Sequence, residues 1–250
     1  MKLLHHARWP DTSALFARIG IQPGMKCLDV GCGGGEVTFE IARLVGPDGH
    51  VTGIDMDEIK LDLARGAAAE KGLSNVEFQA EDVNDWNGTD GYDFVFCRFL
   101  LEHLSRPLDL IRRMWGAVNP GGVLAVEDAD FGGLFCEPAN EGYEFYARMF
   151  PRVLTRRGGD GGAGSKLYRY FLEAGIPDPG LKLVQRADSA EQKHLTVSTL
   201  EAIADGIVDE GLATQDEVRA AIANLAESAN DSTTIMGGPR IFQVWARRRS

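Results

Sequence analysis

Cys27-Leu28-Asp29-Val30-Gly31-Cys32-Gly33-Gly34-Gly35-Glu36 decides how the rest of the chain is read. A short apolar run ends in an acid, glycines follow, and Glu36 opens a segment with Val37, Ile41 and Leu44 on one helical face. The pattern predicts a strand over 26–30, a tight turn at the glycines and a helix over 36–45. Glycines at such a turn let the backbone approach a nucleotide-like ligand, because no Cβ stands in the way.

The same alternation continues downstream. His50 to Ile54 reads as a second strand ending in Asp55, and 59–71 as a helix stopped by Gly72. Val76 to Ala80 is a third strand followed by Glu81-Asp82, and 84–91 is a polar loop. Tyr92 to Cys97 is nearly continuous in apolar residues, as in a strand buried on both faces. A helix over 108–118 leads into Asn119-Pro120-Gly121-Gly122, read as a turn, and a fifth strand over 123–126. Strands alternating with helices at these lengths predict a mostly parallel sheet with helices on both faces.

The flanks are less regular. Residues 1–22 carry a short helix, with Asp11-Thr12-Ser13 as N-cap residues and Leu15, Phe16 and Ile19 as its apolar stripe. Beyond Asp130, 142–156 reads as a helix carrying Tyr143, Phe145, Tyr146 and Phe150. Those aromatics suit either a core or a pocket wall. A glycine-rich loop over 158–164 precedes a helix over 166–174, and 181–186 and 241–246 read as strands. Between them lie two amphipathic helices, the second opened by the capping box Thr214-x-x-Glu217. The expected organisation is a single domain over 1–250, with an N-terminal helical cap at 1–22 and a helical insertion at 188–238 before the last strand.

With 250 residues, 44% of them hydrophobic, the chain can bury a sizeable core. A formal net charge of −11 disfavours nucleic acid and anionic membrane as partners. Arg247-Arg248-Arg249 reads as a solvated terminus. Cys27, Cys32, Cys97 and Cys136 form no CxxC pair, so reduced, mostly buried thiols are expected and a metal site is not. The start Met1-Lys2-Leu3-Leu4-His5-His6 lacks the pattern of a secretory leader, and no apolar run reaches the roughly 18 residues of a membrane helix. These features predict a cytoplasmic protein with no membrane partner.

Three ligands compete for the glycine turn. A phosphate loop needs Gly-x-x-x-x-Gly-Lys-Ser/Thr, and the turn has no lysine. A dinucleotide fingerprint needs Gly-x-Gly-x-x-Gly, and Glu36 occupies the sixth position, where it would meet a pyrophosphate with like charge. The third reading fits better. Asp29-x-Gly31-x-Gly33-x-Gly35 resembles motif I of the class I S-adenosylmethionine-dependent methyltransferases. Tyr92-Asp93-Phe94-Val95-Phe96-Cys97-Arg98 resembles motif IV of that family, Leu100-Leu101-Glu102-His103-Leu104 the helix after it, and Asn119-Pro120-Gly121-Gly122 the turn before the fifth strand. The resemblance covers roughly 24–130.

That resemblance implies a Rossmann-like fold with a mostly parallel seven-stranded sheet, its last strand antiparallel, and S-adenosyl-L-methionine as cofactor. It implies cofactor contacts from Asp29, Gly31, Gly33 and Gly35, from Asp55 on the ribose with Met56 beside it, from Asp82 and Val83 at the adenine, and from Cys97 and Arg98 at the methionine end. Several have a plainer reading. Asp55 can cap the next helix, Glu81 competes with Asp82, Asp29 can simply hold the turn, and Arg98 can pair with Glu102. The cofactor is a phosphate-free cation, which suits carboxylates at successive strand ends.

The implied reaction is methyl transfer to an oxygen, nitrogen or carbon of a small molecule. No Asn-Pro-Pro-Tyr-like tetrapeptide follows the fourth strand; Cys97-Arg98-Phe99-Leu100 stands there instead. His103, Glu102, Asp128 and Asp130 are candidates for assisting deprotonation, against structural or solvated-loop roles. His5, His6, Arg8 and Trp9 lie in a segment that can fold over the cofactor in similar enzymes. The helices at 197–229 cover the site or form a homodimer face. The rival readings are an enzyme of this fold that keeps the cofactor structurally while catalysing, for example, a cyclisation, a non-catalytic cofactor-binding module, and, more distantly, a NAD dehydrogenase.

Overall fold

The computed structural model describes residues 2–88 and 91–249. Met1, Thr89, Asp90 and Ser250, which fall in the expected N-terminal helix, polar loop and terminus, lie outside the described residues. The chain runs α1 (Lys2–Ile19), β1 (Lys26–Val30), α2 (Glu36–Val45), β2 (His50–Asp55), α3 (Glu58–Glu70), β3 (Val76–Ala80), β4 (Tyr92–Arg98), α4 (Pro107–Ala117) and β5 (Val118–Asp130). It continues through β6 (Phe135–Glu137), α5 (Glu141–Arg156), α6 (Ala163–Glu173), β7 (Gly180–Val184), β8 (Ala187–Asp188), α7 (His194–Asp209), α8 (Gln215–Asn230), β9 (Ile235–Gly237) and β10 (Arg240–Arg247).

The main sheet has seven strands in the order β3-β2-β1-β4-β5-β10-β7. β3, β2, β1, β4 and β5 are mutually parallel, and β10 runs antiparallel to both β5 and β7. The expected sheet, including its antiparallel last strand, is therefore present. The chain leaves β1 toward β3 on one side and returns to β4 on the other, so strand order reverses between β1 and β4. Open α/β sheets bind ligands at such a reversal, outside the carboxyl ends of the strands. The glycine turn sits there.

Apolar side chains fill both faces of the sheet. Leu28, Val30, Val95 and Cys97 pack with α4 and α6 on one side, and Phe94 and Phe96 pack with α1 and α2 on the other. Phe16 of α1 stands edge-on to both phenylalanines, with ring centroids 5.4 and 4.9 Å away. A separate cluster joins α5, α7 and α8, so the apolar stripes of the two late helices pack against α5 within the chain. The capping box at Thr214 and Glu217 forms as expected.

Three local expectations are corrected. First, α1 does not start at Asp11-Thr12-Ser13; it runs through Pro10 from Lys2. Ser13 Oγ donates back to the Pro10 carbonyl at 3.0 Å, and Thr12 turns its hydroxyl toward the sheet, instead of capping. Proline removes one helical donor here, and the helix continues because its buried side chains are held against the sheet. Second, Asn119-Pro120-Gly121-Gly122 is a bulge inside β5. Tyr92 pairs with Val118 and Phe94 with Val123, which leaves those residues opposite Asp93. Gly121 takes φ +82°, and the bulge borrows partners from the chain end: Gly121 N donates to Arg248 O, and Arg248 N to Gly122 O. Third, a small sheet in the order β6-β9-β8 was not expected. Its strands are two or three residues long, too short to show a sequence period.

Candidate active site

The carboxyl end of β1 sets the site. Gly31 and Cys32 donate their backbone N–H groups to Ile54 O, at 2.8 and 3.0 Å, tying the turn to the end of β2. Gly33 N donates to Asp55 Oδ2 at 2.8 Å, and Asp57 N to Asp55 Oδ1 at 3.0 Å. Each oxygen of Asp55 thus holds one backbone donor and keeps a lone pair for another. Asp57, rather than Asp55, caps α3 by accepting from Lys60 N. A Cβ on Gly35, which has φ +80°, would lie 2.9 Å from the rings of both Phe39 and Phe78. Glycine is required there on both counts.

Asp29 is buried at 3% exposure and accepts from Thr38 Oγ1 at 2.7 Å. Burial pushes its carboxyl up to about 6, against the hydrogen bond from Thr38. It supports the start of α2 and also faces the cavity.

That cavity encloses about 810 Å³, a size suited to a cofactor with a small partner. Asp29, Gly31, Gly33, Glu36, Asp55 and Met56 line one part of it. Arg98 and Phe99 line it from the end of β4, and Glu102 and His103 from the short helical turn that follows. Leu4, His5 and Arg8 of α1, Tyr146 and Phe150 of α5, and Leu195, Thr196 and Thr199 of α7 add further wall. Phe99 sits at φ +55°, a strained conformation of the kind found in site walls.

The remaining predicted residues lie elsewhere. Gly35 supports the turn from behind, and Cys97 is fully buried in the sheet. Asp82 stands two residues past β3 and accepts from the backbone and side-chain amides of Asn84, both at 2.8 Å. Val83 is buried, and its carbonyl accepts from Arg113. Neither lines the cavity. Arg98 does not pair with Glu102; its Nη1 donates to Thr12 Oγ1 at 3.1 Å, and Thr12 donates to Glu127 at 2.7 Å.

The acids after β4 and within β5 are not solvated loop residues. Asp128 is fully buried and accepts from Leu101 N and Ala129 N, both at 2.8 Å. Burial pushes its carboxyl up to about 7 despite those donors. Glu102, at 5% exposure, faces Asp128 and lies well above the ordinary carboxylate range, first from burial and then from the charge on Asp128. With the donors on Asp128, that residue holds the negative charge of the pair and Glu102 is the neutral partner. Glu102 Oε2 has no hydrogen-bond partner. Asp130 caps a turn through Gly132 N and pairs with Arg240 Nη2 at 2.9 Å, its cross-strand neighbour on β10. Neither Asp128 nor Asp130 lines the cavity, so of the four catalytic candidates the structure brings Glu102 and His103 to it. The His103 imidazole has its pKa lowered by burial and then by Arg157 and Lys60, so it is neutral at pH 7. Its Nε2 lies 3.5 Å from Glu102 Oε1.

Among the described residues no group of His, Cys, Asp and Glu is arranged to hold a metal ion, and no helix is long and apolar enough to cross a membrane.

Residues 21–175 match the family described as "Methyltransferase domain". A demethylmenaquinone methyltransferase from Listeria monocytogenes is 32% identical over 124 residues, 49% of this chain and 52% of that protein. A trans-aconitate 2-methyltransferase from Rhizobium etli is 34% identical over 116 residues, 46% of this chain and 43% of that protein. The chain thus spans about half the length of the curated relatives it matches. A solved SAM-dependent methyltransferase from Aquifex aeolicus shares the fold, with a TM-score of 0.55 at 20% identity, over 95% of this chain and 89% of that one. With the match extending over more than half its length, from before the first strand to beyond α6, the chain belongs to the methyltransferase domain family.

Proposed function

We propose that this chain is an S-adenosylmethionine-dependent methyltransferase acting on a small molecule. The observation that carries the reading is the acidic, glycine-lined part of the cavity at the strand-order reversal, where Asp29, Glu36 and Asp55 face the same space. Carboxylates without a lysine or arginine of the turn itself suit a cationic, phosphate-free ligand and disfavour a pyrophosphate. When bound, S-adenosylmethionine supplies a methyl group on a positively charged sulfur. Asp55 would accept from its ribose hydroxyls, with Met56 against the adenosine. Gly31 and Gly33 would let the backbone close on the methionine part, with Arg98 at the end of β4.

Methyl transfer needs alignment and exclusion of water more than acid–base machinery. Leu4, Leu195 and Phe99 wall the cavity and limit solvent. His103 is the base when the acceptor must lose a proton, because its neutral form is the one present at pH 7. Glu102, whose Oε1 lies 3.5 Å from His103 Nε2, stands beside that imidazole and limits its orientation. Both curated relatives carry names of small-molecule methyltransferases, and the net charge of −11 supports a small acceptor over nucleic acid.

The test is incubation with methyl-labelled S-adenosylmethionine and a panel of small acceptors. Release of S-adenosylhomocysteine in step with labelled product is expected. Conversion of an acceptor with the cofactor left intact would refute methyl transfer and favour a cyclisation-type reaction.

A further inference from the structure

One wall of the cavity carries a cation that nothing so far uses. Arg8 projects from α1, is 6% exposed, and lines the cavity. Its Nε and Nη1 are buried and have no hydrogen-bond partner. Among the described residues no carboxylate is paired with it: Asp11, one of its charged neighbours, is engaged with Arg186 at 3.4 Å, and Asp188 acts on it from beyond ion-pair range. A buried guanidinium with unanswered N–H groups is costly, and charges at a distance do not satisfy those donors. The fold nevertheless holds it in place. Gly238 leaves room for it, since a Cβ there would lie 2.9 Å from Arg8 Nη2. One turn earlier, His5 presents a second buried nitrogen, Nδ1, also without a partner. The adjoining wall is aromatic, with Phe131 and Phe150 4.4 Å apart between ring centroids and Phe99 also facing the space.

Resting on the methyltransferase reading, we propose that Arg8 anchors the methyl acceptor by taking the carboxylate of a small apolar acid, whose ring or chain lies against Phe99, Phe131 and Phe150. A planar guanidinium is the side chain best suited to a carboxylate, and a dry site strengthens the pair. The acidic part of the cavity and the Arg8 wall then sort two ligands by charge, the cation to one and the acid to the other.

Benzoate and its neutral isostere benzamide serve as probes, titrated by calorimetry against wild type, Arg8→Gln and Gly238→Ala. Wild type is expected to bind benzoate about tenfold or more tightly than benzamide. Arg8→Gln should bring that ratio to about one. Gly238→Ala, whose methyl crowds the guanidinium without removing it, should weaken benzoate several-fold and leave benzamide unmoved. Equal binding of the probes by wild type, absence of binding by both, or a preference that survives Arg8→Gln overturns the proposal. If Arg8→Gln does not fold, wild type and Gly238→Ala decide it, and benzoate affinity unchanged in Gly238→Ala overturns it. S-adenosylhomocysteine is titrated into the same samples. Its binding without a benzoate preference overturns the anchor alone; a benzoate preference without its binding supports the anion site and overturns the methyl-donor reading.

Discussion

Replacing Asp29 with Asn should make the protein more stable at neutral pH and leave it nearly unchanged in acid. Asp29 is buried at 3% exposure, and burial lifts its carboxyl from 3.8 to about 6. Below pH 3.8 the group is protonated whether the chain is folded or not. Between 3.8 and about 6 the folded state keeps a proton that the unfolded state has released, so stability falls as pH rises through this window and levels off above it. At about 1.36 kcal/mol per pH unit, the full loss is about 3 kcal/mol. The amide oxygen of the substituted side chain can still accept from Thr38 Oγ1, now 2.7 Å from Asp29 Oδ2, so the hydrogen bond that positions α2 survives. Urea unfolding of both proteins at several pH values between 4 and 8 isolates this one group, since all other titrations cancel in the difference. The stability difference should grow toward the variant by about 3 kcal/mol across the range. A flat difference, or one that grows toward wild type, would refute the assignment of Asp29 as a carboxyl penalised by burial.

Four further outcomes follow from the same geometry. Gly35→Ala forces φ +80° on a residue with a Cβ and drives that atom to 2.9 Å from Phe39 and Phe78, so a loss of about 2–3 kcal/mol is expected in urea unfolding. His103→Gln should lower turnover on a protonated acceptor by about a hundredfold while leaving S-adenosylhomocysteine affinity in place. Glu102→Gln should cost less, because that carboxyl is already neutral. With the His103 pKa lowered, the acid limb of the wild-type pH–rate profile should lie below pH 6.5, and a limb above it would argue against His103 as the base.

Most of the sheet was legible because its signals are local. Apolar runs, an acid at the strand end and glycines at the turn recur in order, and each helix between them carries a period. The failures have local causes as well. Asp11-Thr12-Ser13 has the chemistry of a cap, yet α1 passes straight through it, because packing of Leu15 and Phe16 under the sheet outweighs the missing donor of Pro10. The bulge at 119–122 depends on Arg248, more than a hundred residues away, and no reading of the turn alone could include that partner.

The site was legible to the same degree. Gly31, Gly33, Asp55 and Met56 face the cavity, since backbone position alone dictates where they go. Side-chain direction was harder. Neighbouring residues on a strand point to opposite faces, so Glu127 turns toward Thr12 and Gln243, and Asp128 toward Leu101. Asp130 meets Arg240 only because β10 folds back beside β5. Arg8 carries no motif; its interest lies in donors that have no acceptor, which only the packed structure reveals.

On the proposed reading, the glycine turn and Asp55 hold S-adenosylmethionine rather than a dinucleotide. Calorimetric titration of S-adenosylhomocysteine and of oxidised NAD into wild type and Asp55→Asn tests it most directly. One S-adenosylhomocysteine per chain is expected, with about tenfold or greater weakening in the variant from loss of a charged acceptor, and no heat from the dinucleotide. Dinucleotide binding as tight as that of S-adenosylhomocysteine, or no binding of S-adenosylhomocysteine at all, would contradict it.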